Sequence, residues 1–249
     1  MALTDNLVSY WKLDETSGTS AADAHGANTG TITGNPILGV TGKIAKAITL
    51  DGTGDYISIG DPANLDFERT SAFSIQAWLN LPTPGADMAI VGKHDVSTAL
   101  RGYRFYIDAA LKLYIQMLND NGAGNKLRRA SVQTVPANTW THCVMTYSGS
   151  STVAGGKIYI NATESTYDSE QDTLTATILN NINLEIGRNG SGWAVGDFLG
   201  TIDEVGIWSR VLTGAEITEL YNGGSGLAYP FTGGVVVRPR SNLLLMKVG

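Results

Sequence analysis

Apolar residues in this chain recur at every second position, in short runs closed off by glycine, asparagine and aspartate. In Phe73-Ser74-Ile75-Gln76-Ala77-Trp78-Leu79-Asn80 one side carries Phe73, Ile75, Ala77 and Leu79, while the other is polar apart from Trp78. Leu111, Leu113, Ile115 and Met117 repeat the arrangement against Lys112, Tyr114 and Gln116. Side chains that alternate faces belong to extended backbone, so each run reads as a half-buried strand of an antiparallel sheet. Similar segments lie at 7–13, 46–50, 55–59, 88–92, 102–107, 140–147, 157–161, 183–187 and 199–208. Turn clusters such as Gly52-Thr53-Gly54-Asp55 and Asn119-Asp120-Asn121-Gly122 separate them. About eleven strands and almost no helical period predict an all-β fold, a two-sheet antiparallel sandwich.

Composition narrows the function classes. The chain has 249 residues, a length that all-β sandwiches reach as one domain of about 200–250. Only 16% of residues are charged and 30 are glycine, which suits strands and tight turns better than solvated helices. A net charge of −6, with no run of three basic residues, supplies no footprint for a phosphate backbone, and nucleic acid is excluded as a partner. No apolar run reaches the ~18 residues of a membrane span. The single cysteine, Cys143, sits in the apolar stretch 140–147, so it reads as a small buried hydrophobe and excludes an internal disulfide or a multi-thiolate zinc site. Met1-Ala2-Leu3-Thr4-Asp5-Asn6 shows neither the basic nor the apolar region of an export signal.

One helix is expected late in the chain. Thr213 with Glu216 three residues on forms a capping box, Leu212 staples onto Ile217, and Asn222-Gly223-Gly224 ends the turn. The sandwich is therefore assigned to residues 1–222 and a glycine-rich joint with an extended tail to 223–249. Within the tail, Tyr229-Pro230-Phe231 can pack on the sandwich. Val235-Val236-Val237 and Leu243-Leu244-Leu245-Met246 are β-prone runs that an isolated ribbon would not stabilise. Residues 227–249 are thus expected to attach the chain to a protein partner or a neighbouring subunit by adding strands to a sheet edge.

A series of phrases follows in a fixed order: Tyr10-Trp11-Lys12-Leu13-Asp14-Glu15-Thr16-Ser17-Gly18, Asp23-Ala24-His25-Gly26-Ala27-Asn28-Thr29-Gly30, Leu50-Asp51-Gly52, and Asp55-Tyr56-Ile57. Phe73 to Trp78 and Trp140-Thr141-His142-Cys143-Val144 continue it, and Gly200-Thr201-Ile202-Asp203-Glu204-Val205-Gly206-Ile207-Trp208 runs into the capped helix. Over about residues 7–222 the set resembles the laminin-G-like family of concanavalin A-like lectin/glucanase jelly rolls. The resemblance implies a jelly-roll sandwich. The family usually turns with Asn-Gly after the strand that here ends at Asn161, and Ala162 in place of that glycine disfavours a tight type I′ turn.

Hydrolases of this fold use two carboxylates alternating on one strand, about 5–5.5 Å apart in retaining enzymes. No such spacing is present: Glu185 has Gly187 two residues on, and Asp203 and Glu204 are adjacent, so strict alternation sends them to opposite faces. The chain is accordingly expected not to be an enzyme. Asp23, Asn28 and the backbone between them form an oxygen-rich loop of the kind that binds a hard cation. The resemblance implies a structural Ca²⁺ held between this loop and Asp203. For a glycan, Trp193 stands in the polar loop Arg188-Asn189-Gly190-Ser191-Gly192-Trp193, where an aromatic ring has no obvious core to enter and is free to stack on a sugar. His94, Arg101 and Tyr103, with Asp95 and Asn121, are expected to share its rim.

Together these readings point to a non-catalytic carbohydrate-binding or adhesion module displayed on the outside of a cell or particle. The alternative is a structural protein of a phage or virion, such as a capsid decoration, tail or fibre component, held by its C-terminal tail. A fold used mostly outside cells occurs here without a recognisable export signal or a disulfide, and a virion protein needs neither.

Overall fold

Alternation lays the chain out in two antiparallel sheets facing one another across their apolar sides. In this computed structural model residues 1–95, 101–120, 124–190 and 196–231 are described. The eight-stranded sheet runs, in spatial order, Thr163–Glu164, Gly156–Ile160, Thr141–Ser148, Ala72–Asn80, Leu199–Trp208, Lys46–Asp51 and Ile37–Thr41, with Leu7–Trp11 also paired to Leu199–Trp208. The nine-stranded sheet runs Tyr167–Asp172, Asn125–Thr134, Lys112–Asp120, Gly102–Ile107, Met88–His94, Leu184–Ile186, Tyr56–Gly60, Gly30–Thr33 and Ser20–Ala21. The result is the jelly-roll sandwich expected from the sequence. Phe73, Ile75, Ala77 and Leu79 of one sheet meet Phe105, Ile107, Leu113, Ile115 and Met117 of the other, all without solvent exposure. Burying each large side chain contributes about 1.5–3 kcal/mol. Cys143 lies in this core, where burial pushes its thiol up. Among the described residues no helix is long and apolar enough to cross a membrane.

A second, smaller core lies outside the eight-stranded sheet. There Tyr10, Val144 and Trp208 meet Leu212, Ile217 and Leu220 of the helix Gly214–Tyr221. The helix begins and ends as its sequence requires, with both hydrogen bonds of the Thr213–Glu216 capping box formed and Asn222 in the left-handed conformation at its end. Glu216 also accepts two 2.8 Å bonds from the Arg210 guanidinium. Tyr229 stacks on Tyr10 with ring centres 5.1 Å apart, and Phe231 meets the same ring edge-on at 5.2 Å. The first residues of the expected attachment arm therefore pack on the sandwich. Residues 232–249, with both apolar runs of that arm, lie outside the described residues.

Two local expectations are corrected. Asn161 and Ala162 have φ of 50° and 62° and join Ile160 directly to Thr163, so the tight turn with two positive φ values forms without its glycine. The hairpin flanks Tyr159, buried in the second core, and Asn161 is held from both sides: its N–H donates to the His142 carbonyl while its Oδ1 accepts from the His142 N–H. In the middle of the sheet Glu204 has φ of 51°, and the pairing of Leu199–Trp208 with Ala72–Asn80 slips between Asp203 and Gly206. Alternation stops at this bulge, which removes the reason for placing Asp203 and Glu204 on opposite faces.

Candidate functional site

Register fixes what the nine-stranded sheet shows on its outer side. Because Phe105, Ile115 and Met117 point into the core, their neighbours Arg104 and Gln116 point away from it. Gln116 pairs with Arg104 on one side and with Arg128 on the other, setting the three in one cross-strand row. The next outward row places Tyr106 opposite Tyr114, flanked by Ala89 and Ala130. The two tyrosine rings stack 4.7 Å apart, the Arg104 guanidinium lies 4.0 Å over Tyr106, and that of Arg128 lies 5.5 Å from Tyr114. Arg104 Nε donates to Gln116 Oε1. Burial raises both phenols to about 12; at Tyr114 the charge of Asp108 and a hydrogen bond to it add to the rise, and the arginines oppose it at both rings.

At one end of this face a cleft of about 390 Å³ opens between 51–53, 85–88 and 196–199, with Asp87, Asp197, Met88 and Leu199 in its wall. Burial raises the Asp87 carboxyl, while the charges of Arg104 and Arg128 act on it in the opposite direction. Asp197 accepts from the Gly54 N–H at 2.7 Å and lies 3.7 Å from Arg188. Arg188 in turn covers the ring of Tyr56 at 4.5 Å. Gly196 lines this cleft, but Trp193 and the rest of residues 191–195 lie outside the described residues. Gly190 has φ of 102°, and a Cβ there would come within 1.9 Å of the His94 carbonyl, so only glycine allows this approach.

The residues expected to share a sugar rim have different surroundings. Backbone packing brings His94 beside the Arg188-Asn189-Gly190 turn, and of those three side chains Arg188 is half-buried while His94 and Asn189 are buried. Arg101 is half-buried and uses its carbonyl to accept from the Asp95 N–H and from Asn180. Tyr103 belongs to the core instead: its ring packs on Phe67 and Phe73 and its hydroxyl donates to the Leu65 carbonyl. Reading 102–107 from its inward Phe105 would have shown this, since Tyr103 shares that parity. Asn121 lies outside the described residues. What sequence reasoning missed is the strand Asn125–Thr134, whose Arg128 and Arg129 hide the alternation that Leu127 begins.

The loop expected to bind calcium does not fit a cation. Asp23 Oδ1 accepts from the N–H groups of Tyr10, His25 and Gly26, and Oδ2 from that of Asn28. Four backbone hydrogens thus stand where a metal would have to approach. Burial raises this carboxyl, but the bonds from Tyr10, Gly26 and Asn28 outweigh it and hold the group below its usual range. The Asn28 amide donates to Ser9 and to Asn64. Asp203 Oδ2 accepts from the Ile44 N–H, and its Oδ1 has no hydrogen-bond partner. Among the described residues no three histidine, cysteine or acidic side chains are grouped to hold an ion.

Asp203 and Glu204 are both shut off from solvent, and Glu204 belongs to a buried polar network. Glu204 accepts from the Tyr10 hydroxyl, which Gln76 also contacts and which links on to His142. Burial raises Asp203 to about 7 and Glu204 to about 8, and lowers His142 to about 3.

Residues 51–218 match the family model of the concanavalin A-like lectin/glucanase superfamily. No curated protein sequence matches the chain. Among solved structures, the binding domain of Paraclostridial Mosquitocidal Protein 1 is similar with a TM-score of 0.69 at 19% identity, over 90% of this chain and 53% of that one. Trypanosoma rangeli sialidase is similar with a TM-score of 0.64 at 14% identity, over 90% of this chain and 34% of the enzyme. Domain 4 of AbnA, an extracellular GH43 arabinanase from Geobacillus stearothermophilus solved with arabinotriose, has a TM-score of 0.61 at 22% identity, over 86% of this chain and 97% of that domain. The chain thus spans about half of the first of these and a third of the second. Likeness at these identities concerns the fold.

Proposed function

This chain belongs to the concanavalin A-like lectin/glucanase superfamily, and from that premise we propose that it is a non-catalytic carbohydrate-binding module. The observation that carries the reading is the outer face of the nine-stranded sheet. The half-exposed Tyr114 ring, stacked on buried Tyr106, lies beside the half-buried guanidinium groups of Arg104 and Arg128, and the face runs to a cleft. Sugars offer one apolar face and a rim of hydroxyls, which such a surface meets with ring contacts and oriented donors. Similarity to the binding domain of a mosquitocidal protein and to an arabinanase domain solved with arabinotriose supports the same reading. It gains further support from Asp203 and Glu204, neither of which is exposed to solvent.

The test is isothermal titration of the full chain against oligosaccharides, beside Tyr114→Ala, with a reducing-end assay for hydrolysis. Removing the half-exposed Tyr114 ring should weaken binding about tenfold, the equivalent of roughly 1.4 kcal/mol. No bond cleavage should be seen. Turnover of any glycan, or wild-type affinity in the variant, would refute the proposal.

A further inference from the structure

We propose that this face selects saccharides bearing negative charge, uronate carboxylates or sulfate esters, and that Arg104 and Arg128 hold those groups. The inference rests on the carbohydrate reading above and deepens it. Among the described residues these two guanidinium groups, like that of Arg69, have no carboxylate within ion-pair distance, whereas Arg129, Arg188 and Arg210 pair with Glu170, Asp197 and Glu216. In a chain with 23 acidic against 17 basic residues, an acid opposite every exposed arginine would be easy to supply. Two adjacent rows of one face instead offer glutamine, serine, alanine and tyrosine as the neighbours of these two. Asp87, in the wall of the cleft, is a carboxylate whose charge reaches both, and Asp108 lies close to Asp87 and accepts from the Tyr114 hydroxyl.

The donor geometry suits an anion. A guanidinium carries five N–H donors in a fixed plane that matches two oxygens of a carboxylate or sulfate. Arg104 donates through Nε to Gln116, and Arg128 through one Nη to Ser169, which leaves the remaining edge of each fork for a ligand. Their tyrosine contacts hold both planes in place before any ligand arrives, so less side-chain freedom is lost on binding. The two arginines stand on alternate strands, about 10 Å apart at the backbone, a span for two charged groups of one oligosaccharide. Partial burial of Arg104 strips water from its guanidinium and strengthens its attraction to an anion.

Affinity electrophoresis and titration calorimetry of the full chain would use polygalacturonate, dextran sulfate and neutral dextran at low and high salt. The expected result is at least about tenfold tighter binding of one charged polymer than of dextran, weakened by salt. Which charged polymer is preferred identifies carboxylate or sulfate as the recognised group. Arg104→Gln and Arg128→Gln should each cost about tenfold while leaving the melting temperature in place, and Arg104→Lys, which keeps the charge but loses the fork, should lose most of the same affinity. Equal binding of charged and neutral polymers, or full affinity in the arginine variants, overturns this inference and leaves carbohydrate binding standing. Binding to no saccharide overturns both.

Discussion

Replacing Glu204 by Gln should make the protein more stable at alkaline pH and leave it nearly unchanged near pH 5. Burial is the main reason that the Glu204 carboxyl is raised from 4.5 to about 8, with Asp203 and Asp14 adding repulsion and the Tyr10 hydroxyl opposing them. The folded state therefore holds a proton that the unfolded chain releases. Its stabilising effect is complete below about 4.5 and is lost as the pH rises toward 8. At about 1.4 kcal/mol for each tenfold change the rise corresponds to at most roughly 5 kcal/mol. Relaxation and water entry reduce such penalties, so about 2 kcal/mol should be regained by the variant at pH 8.5. For a chain of this size that is roughly 4–8 °C in melting temperature. The amide keeps an oxygen for Tyr10 to donate to and cannot ionise. His142, held to about 3, titrates in the opposite sense below pH 6.5, so the assay is the difference between variant and wild type, by calorimetry at half-unit steps from pH 5 to 8.5. A difference that stays flat, or turns negative at high pH, would mean that the folded Glu204 is ionised and that the buried-network reasoning is wrong.

Ala162→Gly should stabilise the protein by about 1 kcal/mol in urea titrations, because a left-handed conformation that costs an ordinary residue roughly 1–2 kcal/mol is free to glycine; a loss of stability would show that the turn is not of this kind. Excess EDTA should leave the melting temperature within about 1 °C, since N–H groups already surround the Asp23 oxygens; a clear fall, abolished by Asp203→Ala, would restore calcium to this loop.

The sandwich and its helix were readable because their signals are local. Alternation in 73–80, the Thr213–Glu216 spacing and the glycines of the turns each act within a few residues. The face assigned here to sugar recognition depends on which strand lies beside which. Arg104, Gln116 and Arg128 are separated by about a dozen residues each and become one row only through pairing register. Isolated, each looks like an ordinary solvated position. The loop aspartates were misleading for the opposite reason: an Asp among glycines looks the same in sequence whether it binds a cation or caps backbone N–H groups. Asp23 does the second.

The strand Leu199–Trp208 lies in the middle of the eight-stranded sheet, and its neighbours come from 7–11, 46–51 and 72–80. During synthesis those earlier segments leave the ribosome long before it does. Until residues beyond 200 emerge, Leu7–Trp11 has no strand to pair with and Trp208 cannot donate to the Leu3 carbonyl. The sheet is thus closed at its centre by a strand that arrives after all its neighbours, and a nascent chain that stalls before it leaves an open edge on each of those three strands. Slow, late-closing folding and sensitivity to chaperone supply are the expected cost of that chain order.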